Sequence, residues 1–147
     1  MPHADITAHL HKTFPLAHYM QIAVTTWNHN TLALSAPLAP NINHTDTAFG
    51  GSISALAILA GYTLLHLALE DRKIPSRILI QKSATDFLRP IETALTATAS
   101  LPAAEPLAEF LAALVKKRKG RITLTSEVLT QKTPAATHTG LYVAILY

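Results

Sequence analysis

The sequence predicts an α+β fold in which an antiparallel β-sheet wraps around one long central apolar helix. The run from Ile53 to Leu69 contains no charged residue, and a helix that is apolar on nearly all sides has to be surrounded by protein. Six segments rich in β-forming residues flank this run in the sequence. No repeat, low-complexity tract or linker divides the 147 residues, so residues 1–147 are expected to form a single domain.

The N-terminal part of the chain is predicted to form a weak helix followed by a β-hairpin. The helix covers His3 to Thr13, and Pro15 is expected to end it. Two strands follow, from Ile22 to Trp27 and from Thr31 to Ala36. Because the segment from Asn28 to Asn30 tolerates a tight turn, these strands are expected to pair with each other.

The central helix is predicted from Gly51 to Leu69, and the charged run from Glu70 to Lys73, followed by Pro75, closes it. Its composition also raises the possibility of a membrane span. The run is slightly short for a span and contains polar residues. A buried core helix has the same composition and is the favoured interpretation.

The second half of the chain adds four strands and one amphipathic helix. The strands are expected at Arg77–Leu88, Thr93–Leu101, Arg121–Leu129 and Ala135–Tyr147. The helix begins near Pro106, and its apolar residues recur at spacings of three and four. The order β-β-α-β-β-α-β-β suits a sheet that curls around its helix, an arrangement called the hotdog fold. An ordinary two-layer α+β domain would give a similar order.

Composition narrows the class of protein and its environment. Hydrophobic residues make up 49% of the chain and charged residues only 14%, which favours a large core or a buried subunit interface, and hence a homodimer or a dimer of dimers. The chain has no cysteine, which excludes disulfides and thiolate metal sites. The first residues contain no apolar signal core, so a cytoplasmic location is expected. The net charge of +3 permits anionic ligands without demanding them.

The loop from Asn41 to Ser52 is the most informative stretch, because it is polar and runs directly into the apolar helix. The first turn of a helix leaves about four N–H groups without intrahelical partners and carries partial positive charge. Gly50 and Gly51 would let a ligand approach these N–H groups closely. Such a helix start can stabilise an oxyanion. The alternative is an ordinary N-capped buried helix.

Two local matches carry a resemblance to hotdog thioesterases. Asn43 is followed after five residues by Phe49-Gly50-Gly51, which is similar to an Asn followed by His-Gly-Gly in the acyl-CoA thioesterases of the phenylacetic acid pathway. The segment from Asp86 to Pro90 reads Asp-Phe-Leu-Arg-Pro and resembles a strand motif of the same family. The whole chain resembles more closely a hotdog thioesterase group best known as a domain appended to N-acetyltransferases. Its pattern matches Ala36-Pro37-Leu38, Asn41-Ile42-Asn43 and Thr47–Ser52 here.

The chain departs from the better-known families at two positions. Phe49 stands where their motif has histidine. Those families use a carboxylate further along the helix as base or nucleophile, and the matching residue here is Ile58. If the protein hydrolyses a thioester, its base has to come from elsewhere, and His44 and Asp46 in the loop are the nearest candidates.

The expected catalytic groups are therefore the Gly51 N–H as oxyanion donor, Asn43 as an orienting amide, and His44 or Asp46 as the base. Asn43 has a structural alternative, an Asx-turn that shapes the loop. Asp46 could equally be a loop or capping acid, and His44 a surface histidine with one hydrogen bond.

Further residues are candidates for substrate binding. Those near the helix start are Phe49, Gly50 and Ser52, and those in the strand motif are Asp86 and Arg89. The basic residues Lys116, Lys117 and Arg118 are candidates for contact with the phosphates of coenzyme A, with a solvated turn as the alternative.

The resemblance implies an acyl thioesterase that hydrolyses an acyl-CoA or a related thioester without metal or cofactor, at a slot between subunits. A non-catalytic acyl-CoA-binding module is the main alternative, because the helix offers no acid before Glu70. A hotdog hydratase is disfavoured, since the Asp-x4-His pairing of one such branch is absent after Asp46. The spacing of the histidines does not match a metal-binding motif. The few aromatic residues do not favour nucleic-acid binding.

Overall fold

Four α-helices and six β-strands make up the chain in the computed structural model, which describes residues 1–147. The helices are α1 His3–Thr13, α2 Pro15–Tyr19, α3 Gly50–Asp71 and α4 Ala104–Lys117. The strands are β1 Ala23–Trp27, β2 Thr31–Ala36, β3 Ser76–Phe87, β4 Leu95–Ser100, β5 Lys119–Thr130 and β6 Thr133–Leu146. Every predicted helix and strand is present. The short helix α2 and a 3₁₀ turn at Ala39–Asn41 were not predicted.

All six strands belong to one antiparallel sheet with the order β1-β2-β4-β5-β6-β3. The long hairpin of β5 and β6 forms its centre. Strands β1 and β3 form the two edges, so β3 pairs with β6 on one side only. The predicted fold class, an antiparallel sheet around a long apolar helix, is confirmed.

Helix α3 lies in the core, and twelve of its 22 residues are buried. One side packs on the alternating apolar residues of β2 and β4, such as Leu34 and Ala97. Its second half packs with α4, β5 and β6 in a separate cluster that includes Leu65, Phe110 and Tyr142. The helix therefore needs apolar residues on most of its surface, as the sequence pattern indicates.

A β-bulge in β3 decides which of its side chains face α3. The register with β6 shifts between Ile80 and Lys82, so Gln81 is an additional residue. Before the bulge, Ile78 and Ile80 pack toward the core. After it the alternation is reversed, so that odd-numbered residues such as Thr85 face α3.

The remaining elements close the two ends of the sheet. Helix α1 packs on β1, and α4 packs on β5. The predicted basic turn is partly helical, since Lys116 and Lys117 belong to the last turn of α4 and Arg118 follows with φ 61°. The β5–β6 hairpin is tighter than predicted, because Gln131 and Lys132 both adopt positive φ in a two-residue turn.

By length and composition alone, α3 could cross a membrane, and it is the one helix of the chain that meets this criterion. Within the fold, 67% of its most apolar window is buried. This burial is that of a core helix.

Candidate functional site

The loop before α3 is held by backbone and side-chain hydrogen bonds. The buried amide of Asn41 donates from Nδ2 to the carbonyl oxygens of Met20 (3.0 Å) and Pro37 (2.8 Å). The Phe49 N–H donates to the Asn41 carbonyl (2.7 Å), and the Ala48 N–H donates to that of Ile91 (2.8 Å). These contacts fix both ends of the loop. The role of Asn41 was missed from the sequence, although it belongs to the Asn-Ile-Asn motif.

The side chain of Asn43 is fully engaged inside the loop. Its Oδ1 accepts from the N–H groups of Thr45 (2.8 Å) and Thr47 (3.1 Å) and from the Thr45 hydroxyl (2.9 Å). Its Nδ2 donates to Thr47 Oγ1 at 2.9 Å and to the Ala48 carbonyl at 3.4 Å. This is the Asx-type arrangement considered as its structural alternative. Asn43 thus shapes the loop, and a direct contact with substrate stays a prediction.

Helix α3 begins without a cap. Its N-cap residue is Phe49, which has no side-chain acceptor, and the first backbone bond into the helix is from the Ile53 N–H to the Phe49 carbonyl (3.0 Å). The N–H groups of Gly50, Gly51 and Ser52 have no hydrogen-bond partner within the chain. Together with the helix dipole, they form a group of donors suited to an oxyanion.

Exposed apolar side chains surround this helix start. Phe49 and Phe87 are both 56% exposed. The Phe87 ring would contact a Cβ on Gly50 at 3.5 Å, and the Phe49 ring lies so close to Gly51 that a Cβ there would be 2.3 Å from the ring. Gly51 itself is exposed. The site therefore combines free N–H donors with an apolar rim, which is the usual composition of a small-molecule site.

The two candidate bases lie in the loop, and both are exposed. Neither His44 nor Asp46 has a side-chain hydrogen bond within the chain, so both side chains are available to solvent or ligand. Asp46 adopts the left-handed conformation, with φ 63°, at the tip of the loop. Asp tolerates this conformation better than most residues do. Their catalytic roles stay predictions.

A second polar group, which was not predicted, lies where β3 and β6 face α3. Ser54 Oγ on α3 and Thr85 Oγ1 on β3 share a hydrogen bond of 2.9 Å. Two residues earlier on β3, Ser83 Oγ is 2.7 Å from Nε2 of His138, which is 2% exposed. No sequence signal links Ser83 to His138, because the two residues meet only through the pairing of β3 with β6.

The His138 ring is buried between β3 and β5. Burial lowers the pKa of His138 below 6.5, so the ring is neutral at pH 7. Its Nδ1 is buried and has no partner. An unpaired lone pair is less costly than an unpaired N–H, so the favoured tautomer has Nε2–H donating to Ser83 Oγ. The hydroxyl proton of Ser83, an exposed residue, is then free to point outward.

Two residues of the strand motif do not join this group. Asp86 lies between Thr85 and Phe87, both of which face α3, so its side chain is on the opposite face of the sheet. Arg89 is exposed just beyond β3, where its N–H donates to the Ala135 carbonyl at 3.3 Å. The two side chains form no salt bridge with each other. Ser52, by contrast, is half-buried in the first turn of α3.

The basic residues Lys116, Lys117 and Arg118 lie at the other end of the molecule. Arg118 Nη2 donates to the Tyr147 carbonyl oxygen (2.7 Å), and the Tyr147 N–H donates to the Pro75 carbonyl (3.1 Å), just after α3 ends. At about 1.5 Å per residue, the end of α3 is about 30 Å from Gly51. Within one chain, the basic residues and the helix start are therefore not neighbours.

No three His, Asp or Glu side chains form a cluster that could hold a metal ion. The six-stranded antiparallel sheet wrapped around α3 defines this chain as a hotdog-fold protein. Residues 3–146 match the family described as "Putative thioesterase (yiiD_Cterm)", and the chain belongs to that family.

Solved structures share this fold. A structure described as the putative thioesterase from Shewanella oneidensis is 27% identical, with a TM-score of 0.87 over 97% of this chain and 96% of that one. A protein of unknown function from Chlorobaculum tepidum TLS superposes with a TM-score of 0.92 at 24% identity, over 98% of this chain and 94% of that one. A Pseudomonas aeruginosa protein described as a probable thioesterase has a TM-score of 0.85 at 17% identity, over 100% and 97%.

Proposed function

We propose that this protein is an acyl thioesterase that hydrolyses an acyl-CoA or a related thioester at the N-terminus of α3. The observation that carries the proposal is the uncapped helix start, with the N–H groups of Gly50, Gly51 and Ser52 free among exposed apolar side chains. Membership of the thioesterase family supports the reaction class. The substrate is a small molecule, and we expect the protein to act in the cytoplasm.

In the proposed reaction, the Gly51 N–H, assisted by that of Ser52, donates to the thioester carbonyl oxygen. Water attacks the carbonyl carbon while a base removes a proton from the water. The thioester carbonyl oxygen becomes an oxyanion, which these N–H donors stabilise. The C–S bond then breaks. The thiolate leaves as the thiol after receiving the proton, and the acyl group leaves as the carboxylic acid.

Three groups are candidates for the base. His44 and Asp46 are exposed on the loop, and neither is committed to another contact. The Ser83–His138 pair is the third, although its favoured tautomer presents a hydroxyl donor rather than an acceptor. For this reason we place the base in the loop and give Asn43 the task of holding the loop in shape.

We further propose that the protein assembles as a homodimer, or a dimer of dimers, through the free edge of β3. This edge is twelve residues long and has no partner strand on its outer side. It carries the exposed Leu79 and Phe87. An exposed apolar edge strand readily pairs with another strand, and a second copy would place two helix starts near one interface.

The oxyanion role of Gly51 is tested by comparing two substitutions at that position. Both Gly51→Ala and Gly51→Pro add a Cβ near Phe49, but only proline removes the N–H, and proline is tolerated in the first turn of a helix. Loss of one oxyanion donor typically lowers kcat by about 10²–10³. We expect that loss for Gly51→Pro and a much smaller one for Gly51→Ala, measured as thiol release from acyl-CoAs of several chain lengths.

Thermal unfolding of both variants controls for misfolding. Equal activity of the two folded variants would show that the Gly51 N–H does not take part in the reaction. Acyl-CoA binding without thiol release across the whole panel would instead identify a non-catalytic binding module. Among the candidate bases, Asp46→Asn and His44→Gln are compared with His138→Gln, and we expect the largest loss of kcat from one of the two loop variants.

A further inference from the structure

A cavity of about 790 Å³ lies at the end of α3 opposite to the glycine pair. Helix α1, the second half of α3, the start of β3 and Tyr147 meet around it. At about 1.5 Å per residue, His66 in its wall is about 22 Å along α3 from Gly51. The volume lies within the range of about 300–1,000 Å³ that is common for small-molecule sites. No step of the proposed thioesterase reaction uses this cavity.

One wall of the cavity is a stack of flat rings. The His66 ring lies between His9 and Tyr62, with centroid distances of 4.8 and 5.8 Å and interplanar angles of 6° and 7°. Phe14 contacts Tyr62 edge-on at 4.8 Å. All four rings line the cavity. A wall of this kind favours a planar aromatic group, because offset stacked or edge-on ring contacts contribute about 0.5–1.5 kcal/mol beyond area burial.

Two of these rings are uncharged near neutral pH. Burial lowers the pKa of His66, although the nearby Glu70 carboxylate opposes the shift. Burial also raises the pKa of Tyr62, with smaller contributions from Tyr147 and Glu70. An apolar ring can therefore bind to these two side chains without removing water from a charged group.

The cavity lining also contains two cationic residues. These are Lys73 and Arg77, and neither forms a salt bridge. The one acid in the lining is Glu70, whose Oε1 is 3.7 Å from Nε2 of His66. Arg118 adds a third cation near the rim through its hydrogen bond to Tyr147. The excess positive charge favours an anionic group on the ligand.

We propose that this cavity is a second ligand site, which binds a flat aromatic ring carrying an anionic group. The ligand ring packs against the edges of Tyr62 and His66, because the stack already covers the faces of His66. The anion lies at Lys73 and Arg77. Two kinds of small molecule share this chemistry: an adenine nucleotide, such as the nucleotide half of CoA, and an aromatic carboxylic acid. The inference does not depend on thioester hydrolysis, since it concerns binding alone.

Calorimetric titration of the full chain with three probes tests the proposal. The probes are adenosine 3′,5′-bisphosphate, phenylacetate and cyclohexylacetate, the last of which keeps the acid but lacks a flat ring. We expect the nucleotide or phenylacetate to bind, and cyclohexylacetate to bind at least fivefold more weakly than phenylacetate if phenylacetate binds. Binding of the nucleotide alone identifies the nucleotide as the source, and binding of phenylacetate alone identifies the aromatic acid.

Two double variants remove the same number of charges. Lys73→Gln with Arg77→Gln should weaken binding at least tenfold, whereas Lys82→Gln with Lys132→Gln, two exposed lysines outside the cavity lining, should change it less than twofold. All four residues are exposed or at the rim, and thermal unfolding verifies that the variants fold. Failure of both aromatic probes to bind, or equal weakening in the two double variants, would overturn the proposal.

Discussion

At the scale of single residues, Gly61 and Tyr142 pack closely against each other in the core. The Tyr142 hydroxyl donates to the Ile58 carbonyl of α3 at 2.7 Å. A Cβ on Gly61 would lie 2.3 Å from that hydroxyl oxygen and 2.8 Å from ring carbon Cζ. Tyr142 is almost fully buried, and burial raises its pKa, so the hydroxyl stays protonated and keeps donating. Glycine is needed here because the ring crosses the helix backbone.

Gly61→Ala should therefore destabilise the fold. Overpacking of a core typically costs about 1–3 kcal/mol, and we expect a loss of this size in the free energy of unfolding from urea denaturation. Tyr142→Phe alone should cost about 1 kcal/mol for the lost hydrogen bond. The double variant should be more stable than the sum of the two predicts, because the hydroxyl oxygen is the nearest clashing atom. If the losses of the two single variants simply add in the double variant, the contact with the Tyr142 hydroxyl does not cause the loss in Gly61→Ala.

The residue scale also shows where prediction from sequence ends. The glycine pair and the polar loop are visible in the sequence, since Gly, Asn and Asp are the residues that such a helix start requires. The commitment of the Asn43 amide to the loop was foreseen only as an alternative. The contact of Ser83 with His138 was not foreseen, because the two residues are 55 positions apart and meet through a strand register that no local pattern encodes.

At the scale of secondary structure elements, β3 differs from the other long strands because one of its edges is free. Strands β5 and β6 lie inside the sheet, whereas β3 has β6 as its single neighbour. The bulge at Gln81 turns Thr85 and Phe87 toward the start of α3. A second copy that pairs with this edge would therefore lie beside the uncapped helix start.

Charges on the free edge should block such pairing. Lys on an exposed strand edge is a common protection against pairing with another chain, so we expect Leu79→Lys with Ala84→Lys to weaken dimerisation at least tenfold. Sedimentation velocity over a range of concentrations measures this change. Thr123→Lys with Thr125→Lys, at two exposed positions of the interior strand β5, adds the same charge and should leave the dimer intact. Unchanged association of the β3 variant would show that the dimer interface does not include this edge.

Element identity was predictable because the periodicity of apolar residues is strong. The alternation in β4 and the uncharged run of α3 both predicted their elements to within a few residues. The tight turn at Gln131 and Lys132 was read as a longer connection, since neither residue type signals positive φ. The bulge in β3 left no local signal either, so the facing of Asp86 away from α3 could not be predicted.

At the scale of the whole molecule, two half-buried or buried histidines link stability to pH. Burial lowers the pKa of both His66 and His138 below 6.5. Between their folded pKa and 6.5, the unfolded chain binds more protons than the folded chain does. The free energy of unfolding therefore increases with pH through this window. It decreases as the pH falls from about 7.5, until the folded-state histidines also become protonated.

Urea denaturation at several values between pH 5 and pH 8 should show this loss of stability in acid. His138→Gln keeps a donor for Ser83 but cannot titrate, so its stability should depend less steeply on pH than that of the native protein. If the native protein has the same free energy of unfolding from pH 5 to pH 8, the lowered pKa of His66 and His138 is contradicted.

Helix α3 also gives the molecule two chemically different ends. The N-terminal end combines free N–H groups with exposed Phe49 and Phe87, and the C-terminal end combines stacked rings with Lys73 and Arg77. The sequence revealed the first end through its glycine motif. It did not reveal the second, because α1, α3, β3 and Tyr147 are separated along the chain and converge only in the folded sheet.

The phenylalanine that precedes α3 implies that this chain is not at its stability optimum. A serine, threonine or aspartate in that place would satisfy at least one orphan amide and typically gain about 1 kcal/mol. Phe49 provides no such acceptor, so the N–H groups of the first turn stay free. Such a trade of stability for activity is common where a protein must keep a backbone group ready for an incoming molecule. Screens for thermostable variants would therefore be expected to recover cap-forming substitutions here at the expense of turnover.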